Sequence, residues 1–121
     1  MNNFDVLSGY RFMWLLVMFD LPVQQKSERR DATKFRNFLL NNGFEMANYS
    51  VYLKAVSSLA QSDTVMKKIR SSVPGSGTVS ILKFTDKQFE QMVTFRGKQR
   101  IFHQNPDLLT LFLKNSLTKM N

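Results

Sequence analysis

Asp20 is the acidic side chain best placed for chemistry. It ends the apolar run Met13-Trp14-Leu15-Leu16-Val17-Met18-Phe19 and is followed at once by Leu21-Pro22. A carboxylate there is either a turn residue, a common use of Asp, or a ligand for a divalent cation. Mg²⁺ usually takes one or two carboxylates together with water or phosphate oxygens, so one Asp per chain is a poor site. Two copies related by a two-fold axis supply a pair, and an ion held between them could activate water against a phosphodiester. Both readings of Asp20 stay open on the residues alone. Other chemistries are ruled out by what the chain lacks. It has no Cys, and its single His, His103, stands in a polar tail, which argues against Cys/His nucleophilic catalysis and a His-rich zinc site. Gly75-Ser76-Gly77 lacks both the dinucleotide fingerprint and the lysine of a phosphate loop.

The elements that must position Asp20 follow from periodicity. The run before it is too short to span a bilayer, which takes roughly 20 apolar residues. It reads as a strand covered on both faces, stopped by Pro22. A helix is expected from about Ser27 to Asn42, with Ser27 as N-cap and Gly43 just past its end. On it Ala32, Phe35, Phe38 and Leu39 share one face, while Lys26, Arg29, Arg30 and Arg36 lie on the other side or its flanks. Alternation over 44–56 predicts one bent strand or two short ones broken near Ala47-Asn48. A second helix is expected from Ser58 or Ser62 to Val73, with Met66, Ile69 and Val73 inward and Lys67, Lys68 and Arg70 outward, ended by Pro74-Gly75. The β-branched stretch 78–84 predicts another strand. Thr85-Asp86-Lys87-Gln88 has the form of a capping box opening a helical turn. A fifth strand over 92–96, turning at Gly97-Lys98, precedes a tail with an apolar group at 108–113.

This order is a split βαβ arrangement: α+β, a ferredoxin-like βαββαβ sandwich with an additional C-terminal strand. The expected division is a domain over 1–97 and a tail over 98–121 that packs on a sheet edge or a partner. Right-handed crossovers place both helices on one face of the sheet. The first strand is apolar on both faces, so the side without helices needs a cover. A second copy of the same sheet is the simplest one, which predicts a two-fold homodimer through the sheets.

Seventeen Lys and Arg against nine Asp and Glu give a formal net charge of +8 on 121 residues. Such a field favours polyanionic partners, nucleic acid above all. A membrane surface is disfavoured, because no segment pairs a Lys-rich face with an exposed aromatic one. Residues 1–10 have no basic region feeding an apolar core, so no secretion signal is expected, and with no cysteine the expected location is cytoplasmic.

Several segments, taken together and in order, carry a family resemblance: Met18-Phe19-Asp20-Leu21-Pro22, Glu28-Arg29-Arg30, Lys34-Phe35-Arg36-Asn37-Phe38-Leu39, Gly43-Phe44-Glu45-Met46, Ser50-Val51-Tyr52 and Thr85-Asp86-Lys87-Gln88-Phe89. From about Phe12 to Gly97 the chain resembles the CRISPR-associated endoribonuclease family, the second of the two universal Cas proteins, in the form found in type II systems. The resemblance implies a ferredoxin-like homodimer that bridges dimers of the Cas integrase in a heterohexameric assembly and binds prespacer duplex DNA during spacer acquisition. It also implies, as the alternative, a Mg²⁺-dependent endonuclease acting on single-stranded RNA or duplex DNA. The acidic residue ending the first strand is the family's metal ligand and catalytic residue, and it matches Asp20. Many members carry Tyr-Asp or two acids there, whereas this chain has Phe19-Asp20. An adaptor needs phosphate contacts without base readout. The residues expected to supply them are Lys26, Arg29, Arg30 and Arg36, then Arg11, Arg96, Lys98 and Arg100. A stand-alone ribonuclease toxin is a third reading, favoured if no integrase gene lies beside this one.

Overall fold

Residues 13–101 are described by a computed structural model. Arg11, His103 and the apolar group at 108–113 lie outside them. β1 (Met13–Asp20) is central, flanked on one side by β3 (Val51–Val56) and on the other by β4 (Thr78–Thr85), with β2 (Glu45–Asn48) beyond β3. The sheet order is β2-β3-β1-β4, and every neighbouring pair is antiparallel. That is the ferredoxin-like arrangement expected from the element order.

The long helix α1 (Lys26–Asn41) connects β1 to β2, and α2 (Leu59–Arg70) connects β3 to β4. Their apolar stripes meet the odd-numbered side chains of β1. Phe35 and Leu39 of α1 and Val65 and Ile69 of α2 join Leu15, Val17, Phe19, Tyr52 and Val56 in one core. Burying one such aliphatic side chain is worth about 1.5–3 kcal/mol. Phe19 meets Phe35 edge-on at 5.2 Å and stacks on Tyr52 at 5.8 Å. Both helices thus cover the same face.

The other face carries Trp14, Leu16, Met18 and Asp20, opposite Ala55, Leu53 and Val51 of β3 and Phe84, Leu82, Ser80 and Thr78 of β4. The short helix α3 (Asp86–Glu90) closes one end of it. Phe89 packs on Trp14 at 4.8 Å, and the Trp14 Nε1–H donates to Asp86 Oδ1 at 3.0 Å. Toward the Asp20 end the face is open, with Met18 47% and Leu82 54% exposed.

Local signals explain most boundaries. α1 ends in a Schellman motif: Gly43 has φ +86°, its N–H donates to the Leu40 carbonyl, and the Phe44 N–H donates to the Leu39 carbonyl. Ser58 caps α2, its Oγ accepting from the Gln61 N–H at 3.0 Å, and α3 opens with the expected capping box of Thr85 and Gln88.

Four expectations are corrected. The N-cap of α1 is Gln25, not Ser27, because the Glu28 carboxylate accepts from the backbone N–H groups of Gln24 and Gln25 and starts the helix earlier. The break between β2 and β3 falls at Tyr49-Ser50, where Asn48 Oδ1 accepts from the Ser50 N–H and closes an Asx turn. On α2 the buried positions are Ser62, Val65 and Ile69; Val73 lies beyond the helix and is exposed. The single fifth strand is a hairpin, β5 (Thr94–Arg96) and β6 (Gln99–Ile101), separate from the main sheet. Gly97, at φ +62°, takes the first position of its two-residue turn.

Candidate nucleic-acid interface and the Asp20 carboxylate

The segment from Leu21 to Gln25 is bound to the start of α1. Arg29 Nη1 donates to the carbonyls of Val23 at 3.0 Å and Gln24 at 2.8 Å, while Glu28 holds the N–H groups of the same segment. Arg29 is therefore a tether as much as a surface cation. Arg36 is tied in the same way: its Nε–H donates to the Tyr49 carbonyl at 3.1 Å and its guanidinium lies 5.7 Å from the centre of the Tyr49 ring. It fastens the β2–β3 turn to α1. Beside this turn, burial pushes the Tyr52 phenol up from its ordinary value, against the opposing pull of the Arg36 charge and with a smaller push from Tyr49.

Lys26 and Arg30 are exposed and have no hydrogen-bond or ion-pair partner among the described residues. Lys34 extends them. The three are four residues apart, so they form one row up the outer side of the helix, with neighbours about 6 Å apart along the axis. The row lines a shallow groove with Arg29, Thr33 and Asn37. Lys34 is absent from the set expected by sequence, yet its spacing from Lys26 and Arg30 was a readable signal. α1 buries Ala32, Phe35 and Leu39 on the opposite side, so packing drives this row into solvent.

Arg96, Lys98 and Arg100 are all exposed on the β5–β6 hairpin, but they do not form one patch. Arg100 pairs with Phe95 across the ribbon and Arg96 with Gln99. Alternation along a strand sends the two arginines to opposite faces.

Asp20 is exposed and continues the helix-free side of β1 after Trp14, Leu16 and Met18. No donor among the described residues reaches its carboxylate, which leaves the turn-capping role without support. Gly77 holds its backbone close: at φ +86°, a Cβ there would lie 2.6 Å from the Asp20 carbonyl oxygen. The cationic row and Asp20 fall on opposite sides of the sheet, so within one chain they do not form a joint site.

The described residues test the fit of a Mg²⁺ ion. No group of three or more His, Cys, Asp or Glu residues is brought together among them. One chain offers a single hard oxygen ligand set at Asp20, which falls short of a Mg²⁺ site. A second copy meeting the helix-free face would double it. No described helix is long and apolar enough to cross a membrane.

Sheet order, helix placement and an outward cationic row define a ferredoxin-like domain with a basic helical face. The chain belongs to the CRISPR-associated Cas2 family: the family described as "CRISPR associated protein Cas2" matches residues 13–92. It is 49% identical over 108 residues to the "CRISPR-associated endoribonuclease Cas2" of Paracidovorax avenae, covering 88% of this chain and 100% of that protein. It is 39% identical to the protein of the same description from Flavobacterium psychrophilum, covering 87% and 91%. The Streptococcus mutans relative is 33% identical, covering 84% and 93%.

Proposed function

We propose that this protein is a cytoplasmic spacer-acquisition adaptor: a homodimer that bridges dimers of the Cas integrase and holds prespacer duplex DNA by its phosphates. The observation that carries this reading is the row Lys26, Arg30 and Lys34 on the outer side of α1. Three cations at one-turn spacing on a rigid helix suit a regular line of phosphates and carry no means of reading sequence. That suits a protein that must accept spacers of any sequence. Arg29 and Arg36 support the row by fixing the segments on either flank of the helix. The exposed end of the helix-free face, with Met18 and Leu82, is the surface for the second copy.

A second reading is favoured by the exposed Asp20 carboxylate and by the name the relatives carry. In it the Asp20 pair of a dimer binds Mg²⁺ and the protein is an endonuclease acting on single-stranded RNA or duplex DNA. One set of variants separates the two. Changing Lys26, Arg30 and Lys34 together to Glu is expected to lower duplex affinity more than tenfold. It should also reduce the slope of log K against log salt by about 2.7, or about 0.9 for each phosphate no longer neutralised. Asp20→Ala is expected to leave duplex binding and spacer capture intact. Failure of spacer capture in a folded, dimeric Asp20→Ala protein overturns the adaptor reading. Mg²⁺-dependent cleavage that disappears with the same change establishes the endonuclease.

A further inference from the structure

Asp20 by itself falls short of a cation site, and the residue before it on β1 cannot make up the difference. Side chains alternate along a strand, and Phe19 is buried in the core against Phe35 of α1. A second acid at position 19 would therefore point away from Asp20. A further protein oxygen on the Asp20 side has to come from a neighbouring strand.

The register of β4 supplies one. Thr78 is the Cα partner of Asp20, and directly opposed residues of an antiparallel pair project to the same face with Cβ atoms about 4.5–5.5 Å apart. The Thr78 hydroxyl thus belongs beside the Asp20 carboxylate on the helix-free side. Both residues are exposed, and neither side chain has a hydrogen-bond or ion-pair partner among the described residues. On the other flank, the pairing of β1 with β3 runs only as far as Met18 with Val51. Among the strand positions, Thr78 is therefore the side-chain oxygen directly opposite Asp20. The backbone holds the two together. Gly77 has φ +86°, and a Cβ on it would come within 2.6 Å of the Asp20 carbonyl oxygen and 2.9 Å of Leu21 Cδ2. The strand ends meet closely where these two oxygens face solvent, which is the preorganisation that a pair of metal ligands needs.

We infer that Thr78 is the second ligand-bearing residue of the Asp20 site, its hydroxyl oxygen binding the same divalent cation as the carboxylate. The inference rests on the endonuclease reading above and adds to it a residue from β4. A threonine hydroxyl is a hard oxygen donor of the kind that serves Mg²⁺ in phosphate loops. One oxygen from Asp20 and one from Thr78 in each of two chains fill part of an octahedral shell, and water or phosphate oxygens take the remainder.

Titration of the full-length protein with Mn²⁺, followed by the electron paramagnetic resonance of the free ion and with no nucleic acid present, tests it. Mn²⁺ takes the same oxygen ligands as Mg²⁺. Thr78→Val keeps the β-branched shape and removes only the hydroxyl, and it is expected to raise the Mn²⁺ dissociation constant about tenfold or more. Thr78→Ser keeps a hydroxyl at that position and should bind close to the parent value. Asp20→Ala should abolish binding. Thr78 is exposed at a strand end, so these changes leave the core intact. An unchanged constant in Thr78→Val overturns the role of Thr78 while the Asp20 reading stands, and so does a loss that is as large in Thr78→Ser. Binding that survives in Asp20→Ala, or no binding by the parent chain, overturns both.

Discussion

At position 62 the chain buries a hydroxyl that gains nothing from burial. Ser62 lies on the inward side of α2 with no exposed surface, and its Oγ has no hydrogen-bond partner among the described residues. An unsatisfied buried polar atom costs about 1–3 kcal/mol, and Ala is a better helix former than Ser. Ser62→Ala should therefore raise stability by about 1 kcal/mol, read as a higher midpoint in thermal or urea unfolding; an unchanged or lowered midpoint would show that the hydroxyl is satisfied. Asp20 is the opposite case, an exposed carboxylate with no donor. Its residue type and position at the end of β1 were legible in the sequence, but its isolation was not. A chain records which residue follows Phe19, not which donors other elements bring near it.

The junction between β1 and β4 depends on one residue with no side chain. Gly77 precedes the first residue of β4, and Thr78 pairs with Asp20 at the end of β1. A Cβ at Gly77 would meet the Asp20 carbonyl at 2.6 Å and Leu21 Cδ2 at 2.9 Å, on a backbone that already has positive φ. Gly77→Ala is expected to cost about 1–3 kcal/mol, seen as a lower unfolding midpoint. A neutral result would mean that the strand ends can separate cheaply. The start of α1 shows the same dependence between elements. Ser27 is a good N-cap by residue type, but Glu28 and Arg29 bind the backbone from Val23 to Gln25 and set the helix start at Lys26. Local preference loses to four charge-assisted hydrogen bonds, which are stronger than neutral ones.

For the whole molecule the decisive feature is the difference between the two faces of the sheet. One is sealed by α1 and α2; the other is buried where α3 meets Trp14 and at Leu53 and Ala47, and open at Met18 and Leu82. In the proposed homodimer the apolar residues left at the open end are the surface for the second copy, since exposed apolar clusters mark association sites. Replacing Met18 and Leu82 together by Lys puts charge on exposed positions and leaves the core between sheet and helices intact. The expected result is a folded monomer by sedimentation equilibrium, against the dimer proposed for the parent chain. A double variant that still sediments as a dimer would move the interface elsewhere. The same two-sidedness separates the two candidate sites: the cationic row faces away from the sheet on the helical side, and Asp20 belongs to the other side.

The sequence by itself determined the order of the elements, the chemistry excluded, the caps at Gly43 and Thr85, and the basic side of α1. These depend on residue type and on periods of two or 3.6 residues, which are local quantities. Only the tertiary structure decided that Val65 rather than Met66 points inward, that Arg29 and Arg36 are held by backbone carbonyls, and that Lys34 completes the row along the groove. It also decided that Arg96 and Arg100 diverge and that Asp20 lies across the sheet from the cations. Each of these depends on which distant segment packs against the residue, and strand register and helix rotation are set by burial of the whole core rather than by any one stretch of chain.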